Sequence, residues 1–424
     1  MIASSDARVA LVNLGCRVNR VETDLIALKL QECGCVLSSK EDAQVVVINT
    51  CAVTGEAQAK TRKAIRSAAN LPGRPTVIAT GCVASLFADE LRALGPNVLV
   101  EPKKDQVARL VMEELGQGNA AVGEEEVLAM TPTPTGRTRP GIKIQDGCNN
   151  RCTYCIVWKA RGQSRSVSAE RVVRAIRAAG ARGAREVVLT GINLGSYRSP
   201  DANGVAQGSR LPALLKYALE QTDMERIRIS SIEPPDVTEE LMEVMSASEG
   251  RIAPFLHVCL QSGCDSTLKR MGRVYTTQQF LSMVKMAREF VPHIALETDV
   301  IVGFPGETDD EFEQSYDFCS KMRFSRMHVF RYSKRPGTPA AEAPNQVPSS
   351  VVAKRAAKLR ELANAMRCEQ MFTLVGKDDN VVVQSAGKAV SGGLFDVRVD
   401  PTIPIGSMAR VRFASVLEGK LVAE

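Results

Sequence analysis

The chain has 424 residues, 44% of them hydrophobic and 24% charged, and a formal net charge of +6. That balance excludes a disordered, collagenous or coiled-coil chain, and no apolar run approaches the roughly 20 residues that span a bilayer. The first residues carry no secretory pattern, so the expectation is a cytoplasmic, non-membrane protein of two or three domains.

In chain order, Arg8–Leu14 alternates as a strand and Val21–Glu32 has helical periodicity. The β-branched run Gln44–Asn49 precedes a helical Ala57–Asn70, and the short strand Thr76–Thr80 precedes a helical Leu86–Leu94. Strands alternating with helices of this length predict βαβ units and a parallel sheet. Residues 116–140, rich in Gly, Glu, Thr and Pro, read as a linker. A second alternating series follows, with strands near 142–146, 186–190, 226–230, 255–260, 295–302 and 326–331. Six such units point to a partial or closed parallel barrel. Ser168 is placed to N-cap its first helix, and Gly303–Thr308 reads as a turn into a later one. A basic helix, Val351–Cys368, leads into alternating segments Val381–Gln384, Phe395–Val399 and Ala409–Ala414, the pattern of a small β-barrel. The expected boundaries are 6–118, 134–365 and 366–424.

Twelve cysteines in a reducing compartment are not expected to form disulfides. Cys148, Cys152 and Cys155 form a CxxxCxxC run just after the first strand of the second series. That spacing lets one loop wrap three thiolates around an iron–sulfur cluster and leave one iron open for a chelating substrate. A tetrahedral zinc site wants a fourth Cys or His, and His257, His293 and His328 are all remote in sequence. Cys16, Cys51 and Cys82 each follow a predicted strand of the first series directly. In a parallel sheet those strand ends share one edge, so the three can meet and hold a second cluster. Cys33, Cys35, Cys259, Cys264, Cys319 and Cys368 read mainly as packing residues.

The chain resembles the radical S-adenosylmethionine methylthiotransferases over essentially its whole length. The CxxxCxxC loop is similar to the hallmark of radical S-adenosylmethionine enzymes generally; Cys16, Cys51 and Cys82 match the family's auxiliary-cluster ligands. The stretches Asn13–Asn19, Asn49–Thr54, Thr190–Asn193 and Arg228–Pro234 look most like the branch acting on N6-threonylcarbamoyladenosine in tRNA. The resemblance implies an α/β chain: a flavodoxin-like N-terminal parallel sheet, a partial (β/α)6 radical S-adenosylmethionine barrel and a C-terminal all-β barrel like a TRAM domain. It also implies two [4Fe-4S] clusters and S-adenosylmethionine as cofactors. The expected partners are a tRNA anticodon stem-loop and a flavodoxin-type electron donor, and the chain is expected to be a monomer. The implied reaction is methylthiolation of C2 of that nucleoside beside the anticodon. The isopentenyladenosine branch is the alternative within the family, and a non-catalytic iron–sulfur or zinc RNA-binding protein the alternative outside it.

Contacts to S-adenosylmethionine belong at the carboxyl ends of barrel strands, where Thr190, Asn193, Ser230, Glu233, Gln261 and Asp299 stand. Glu233 and Asp299 fit equally as N-caps or as barrel ion-pair partners. Residues 137–185 hold twelve Lys and Arg against Asp146 and Glu170, a surplus that suits a phosphate backbone. Arg151, Lys159, Arg161 and Arg165 are expected to face RNA, whereas Arg171, Arg174 and Arg177 form a helical stripe that reads as outer surface. Trp158, the one tryptophan, is expected to pack against the barrel. The C-terminal segment departs from the family pattern: it is poor in aromatics, and from Met366 onward its seven basic and seven acidic residues balance.

Overall fold

The computed structural model describes residues 7–117, 137–200 and 210–424. Most of the expected linker lies outside the described residues. No helix among them is long and apolar enough to cross a membrane.

The first unit is a five-stranded, all-parallel sheet: β1 (Arg8–Asn13), β2 (Val36–Leu37), β3 (Val45–Thr50), β4 (Thr76–Gly81) and β5 (Val98–Val100), in the order β2-β1-β3-β4-β5. This is the flavodoxin-like order the family implies. Strand β3, all six of whose residues are buried, lies at the centre, as a β-branched run covered on both faces must. Helices α1 (Arg17–Glu32), α2 (Gly55–Ala69) and α3 (Cys82–Leu86) follow β1, β3 and β4. The expected helix Leu86–Leu94 is two short ones, Cys82–Leu86 and Ala88–Arg92, broken at Phe87, whose backbone leaves the helical region.

The second unit is an open run of parallel strands. β6 (Gly141–Lys143) pairs with β9 (Glu186–Thr190), with β7 (Gln145–Asp146) and β8 (Arg165–Ser166) forming a small antiparallel pair beside them. β9 pairs with β10 (Arg226–Ile229), which continues past Ser230 as β11 (Ser231–Ile232). β11 pairs with β12 (Phe255–Val258), β12 with β13 (Ala295–Val302) and β13 with β14 (Arg326–Arg331). Counting β10 and β11 as one broken strand, the order is sequential and six units long. Val187, Leu189, Ile227 and Ile229 point outward into the helical layer. Their alternates Glu186, Thr190, Arg226, Arg228 and Ser230 then fill the lumen, so the barrel interior is polar.

The third unit is a closed barrel of β15 (Asp378–Ser385), β16 (Lys388–Val390), β17 (Asp396–Arg398), β18 (Met408–Leu417) and β19 (Lys420–Ala423). It is tied to the second unit from inside. Buried Arg228 donates to Glu186 at 2.7 Å and to the carbonyls of Gly392 at 2.8 Å and Ser391 at 3.2 Å. The basic helix is longer than its periodicity implied, Ser349–Leu374. Ser168 takes the N-cap position with extended backbone, but its hydroxyl makes no capping bond. Thr308 does cap its helix, in a full capping box with Glu311.

Candidate metal centres and the seam between them

Because β1, β3 and β4 are neighbours, the residues after them converge at the sheet's carboxyl edge. A polar lattice fixes those loops. Asn19 Nδ2 donates to Asn49 Oδ1 at 3.2 Å and to the Thr50 carbonyl at 2.8 Å, and Asn49 Nδ2 donates back to the Asn19 carbonyl at 2.8 Å. Thr50 Oγ1 donates to the Thr80 carbonyl at 2.6 Å and accepts the Val83 N–H at 3.1 Å. Gly81 has φ +93°, and a Cβ there would lie 2.4 Å from Asn49 Oδ1, so no side chain fits. Cys16 and Cys51 thus sit on locked loops and Cys82 on the first residue of α3, near enough to act on one another's charge. Burial pushes the Cys51 thiol up to about 11 and raises Cys16, while the nearby Arg161 guanidinium pulls both down.

The second trio is anchored as firmly. Gln145 Nε2 donates to the carbonyls of Asp146 and Gly147 at 3.0 and 2.8 Å, and its Oε1 accepts the N–H groups of Ile192 and Asn193. One buried amide therefore joins the cysteine loop to the loop after β9. Thr153 holds the other side, donating from its N–H to the Met271 carbonyl and from Oγ1 to that of Arg270. Each sulfur receives a donor: the Asn150 N–H reaches Cys148 and the Val157 N–H reaches Cys155, both at 3.4 Å, and Arg273 Nη1 reaches Cys152 at 3.2 Å. Burial pushes the Cys155 thiol up to about 11. Three sulfurs on one loop, each offered an N–H, fit an anionic iron–sulfur cluster.

Of the cofactor-contact candidates, Thr190 and Ser230 face each other with hydroxyls 3.3 Å apart. Asn193 is buried beside Cys148, with its Oδ1 unpartnered. Glu233 pairs with Arg273, and Asp299 Oδ1 lies 3.1 Å from His257 Nε2. Gln261 takes φ +67° and bridges β13, donating to the Asp299 carbonyl and accepting from Ile301. Five of the six lie at carboxyl ends of barrel strands or just past them; Asp299 instead sits in the middle of β13, paired in register with His328.

The RNA-facing expectation needs correcting for Arg161. Its side chain is 3% exposed, and Nη1 donates to Glu22 at 2.8 Å and to Asp146 at 2.9 Å. Two carboxylates and the Asn19 amide oxygen take both terminal nitrogens and the unpartnered Nε is buried, so no phosphate reaches it. Much of the basic surplus is spent likewise: Lys143 on Glu22 and Asp146, Arg139 on Glu186, Arg185 on Glu225 and Arg165 on Asp146. Arg165 keeps 63% of its side chain exposed, Arg151 lies over the Trp158 ring, and Lys159 donates to the Gly337 carbonyl.

Sequence reading missed the Arg161–Glu22–Asp146 cluster, although Glu22 and Asp24 interrupting the apolar face of α1 were the signal. It missed Arg273, which no local pattern marks. It also missed that His257 and His328, distant in sequence, stack in the lumen at 5.7 Å between ring centroids.

Residues 142–319 match the radical SAM superfamily model, and residues 8–100 match an uncharacterized family, UPF0004. The fold is similar to that of the radical S-adenosylmethionine methyltransferase TsrM from Kitasatospora setae, with TM-score 0.56 at 15% identity, over 79% of this chain and 75% of that one. Fold and cysteine loop together define a radical S-adenosylmethionine enzyme. Among curated proteins, the chain is 35% identical to the threonylcarbamoyladenosine tRNA methylthiotransferase MtaB of Thermotoga maritima, over 89% of this chain and 86% of that one. It is 36% identical to MtaB of Bacillus subtilis, over 86% and 82%, and 35% identical to a tRNA-2-methylthio-N(6)-dimethylallyladenosine synthase of an Arthrobacter strain, over 87% and 72%. The chain belongs to the methylthiotransferase family, whose cofactors are iron–sulfur and S-adenosylmethionine.

Proposed function

We propose that the chain transfers a methylthio group to C2 of N6-threonylcarbamoyladenosine beside the anticodon of tRNA. The observation that carries this reading is the pair of cysteine trios docked on either side of one seam. Ile156, next to Cys155, is buried in the same apolar cluster as Cys82, Ala52 and Val83. Cys16, Cys51 and Cys82 would hold the auxiliary cluster, and Cys148, Cys152 and Cys155 the cluster that serves S-adenosylmethionine. When bound, these groups supply hydrogen abstraction from an unactivated C–H bond and the sulfur to replace it.

The chain's own part is placement. Asn193, with its unspent Oδ1, is set to receive an amino or hydroxyl donor beside Cys148, and the Thr190–Ser230 pair offers hydroxyls at the ends of β9 and β10. Arg273 holds Glu233 against the cysteine loop, leaving that carboxylate fixed for a ribose or amino group. The dry packing of Ile156 and Cys82 keeps water from the seam between the trios. Arg151, Lys159 and Arg165, on the rim, are the residues for the phosphate backbone of a stem-loop whose unpaired base enters the pocket. An external one-electron donor is required, and a flavodoxin-type protein is the reductant we assign.

The test is nucleoside analysis of tRNA incubated with the anaerobically reconstituted enzyme, S-adenosylmethionine, a sulfide source and reductant. The 2-methylthio derivative of threonylcarbamoyladenosine is expected. Methylthiolation of isopentenyladenosine instead would reassign the branch, and no methylthiolated nucleoside would overturn the reading.

A further inference from the structure

Cys16 opens into a cavity of about 400 Å³ between the first unit, the barrel and the C-terminal barrel. Its wall is cationic: Arg17, Arg20, Arg137, Arg139, Arg228 and Arg326 line it against Asp24 and Asp396. Three of these six guanidinium groups have carboxylate partners. Arg228 is spent on Glu186 and two carbonyls, and Arg139 on Glu186. Arg326 lies 3.4 Å from Glu297 and 3.8 Å from Asp396.

Arg17 is different. It follows Cys16 directly and is solvent-accessible, yet it is directed inward, near enough to Glu297, Asp299, Arg228 and Arg326 to feel their charges. It makes no side-chain hydrogen bond or ion pair among the described residues. Thr190 and Val188, from the lumen face of β9, line the same cavity. An unspent guanidinium thus stands between a thiol of the first trio and the barrel mouth, where the reacting base would lie.

We infer that Arg17 forms a carboxylate subsite that receives the threonyl carboxylate of the modified adenosine. This rests on the substrate reading above. In that nucleoside the carboxylate is joined to the base through N6, with only N1 and C6 between N6 and C2, so it settles within a side chain's length of the reacting carbon. A guanidinium offers a planar fork of donors matched to a carboxylate. A pocket that presents a guanidinium without a hydrogen-bonded partner also disfavours an apolar N6 substituent, because that substituent would strip water from the cation and offer it no acceptor. Arg17 is therefore a specificity-determining residue: it favours the anionic nucleoside over an isopentenyl one.

The test compares binding of three anticodon stem-loops to the cluster-loaded enzyme: one with threonylcarbamoyladenosine, one with its methyl ester and one with unmodified adenosine. Wild type is expected to bind the free acid about 10- to 100-fold more tightly than the ester, the range of a charge-assisted hydrogen bond. In Arg17→Gln that ratio should collapse toward one while affinity for unmodified adenosine stays near wild type, which also reports that the variant is folded. Arg17→Lys should keep part of the ratio. If Arg17→Gln weakens all three equally, Arg17 is a phosphate contact and the subsite is overturned. A preserved ratio in Arg17→Gln overturns it too. If wild type binds and turns over threonylcarbamoyladenosine loops normally, either result leaves the functional reading standing; if wild type does not act on them at all, both fall.

Discussion

Arg161 and Glu22, 139 residues apart, form a buried ion pair 2.8 Å long that joins the helix after the CxxxCxxC loop to the helix after Cys16. Asp146 meets the same guanidinium at 2.9 Å, and Lys143 and Lys104 each meet Glu22 at 2.9 Å. The two cysteine trios are therefore held in register by a charge cluster rather than by apolar contact alone. Breaking a buried pair leaves an uncompensated charge, which costs about 3–5 kcal/mol. Arg161→Met is expected to lower stability by that order and to loosen the first unit from the barrel. Urea unfolding of the metal-free chain checks the first effect, and faster amide hydrogen exchange in α1 and in residues 157–161 the second.

Acid should release the same seam through Glu22, and the tie to the C-terminal barrel through Glu186. The basic groups around Glu22 and Glu186 hold both carboxyls at about 2, below their ordinary 4.5. The unfolded chain then binds more protons than the folded one at low pH, so the contribution to stability is complete above pH 4.5 and is lost as pH falls toward 2. Thermal unfolding across that interval should show a steep decline that Glu22→Gln makes shallower.

Arg273 places a cation 3.2 Å from Cys152 Sγ. Reduction adds negative charge beside it, so the cation eases reduction. Arg273→Met should lower the midpoint potential of the cluster on Cys148, Cys152 and Cys155, read by a redox titration followed by electron paramagnetic resonance. An unchanged or raised potential at full iron content would contradict this.

Cys148→Ala should abolish formation of 5′-deoxyadenosine. Cys51→Ala should leave cleavage of S-adenosylmethionine measurable but stop methylthiolation. Chromatography of both products from one reaction separates the roles, and full methylthiolation by Cys51→Ala would remove the first trio from the chemistry.

Arg228, 1% exposed, plugs the barrel and holds the C-terminal unit through the carbonyls of Ser391 and Gly392. Arg228→Met leaves Glu186 with fewer partners and frees both carbonyls. The expected cost is about 3–5 kcal/mol, measured by unfolding.

Much of this was legible in the sequence because it is local. The alternation of β-branched runs with helical periodicity gave both parallel units, and cysteines directly after β1, β3 and β4 had to converge once those strands were neighbours. The short β2, β5, β16 and β19 lack enough residues to show a period. Arg161 misled because charge counted along a chain does not say which way a side chain turns; its short helix buries it against Glu22. Arg273 and the His257–His328 stack arise from contacts between strands and loops far apart in sequence, for which no spacing exists to read.

The most direct measurement is the iron and acid-labile sulfide content of the anaerobically reconstituted chain beside its Cys16→Ala/Cys51→Ala/Cys82→Ala variant. Two independent three-thiolate sites predict roughly eight irons per chain falling to about four, with the remaining cluster still cleaving S-adenosylmethionine. Four irons in both proteins, or none in the variant, would contradict two separate centres.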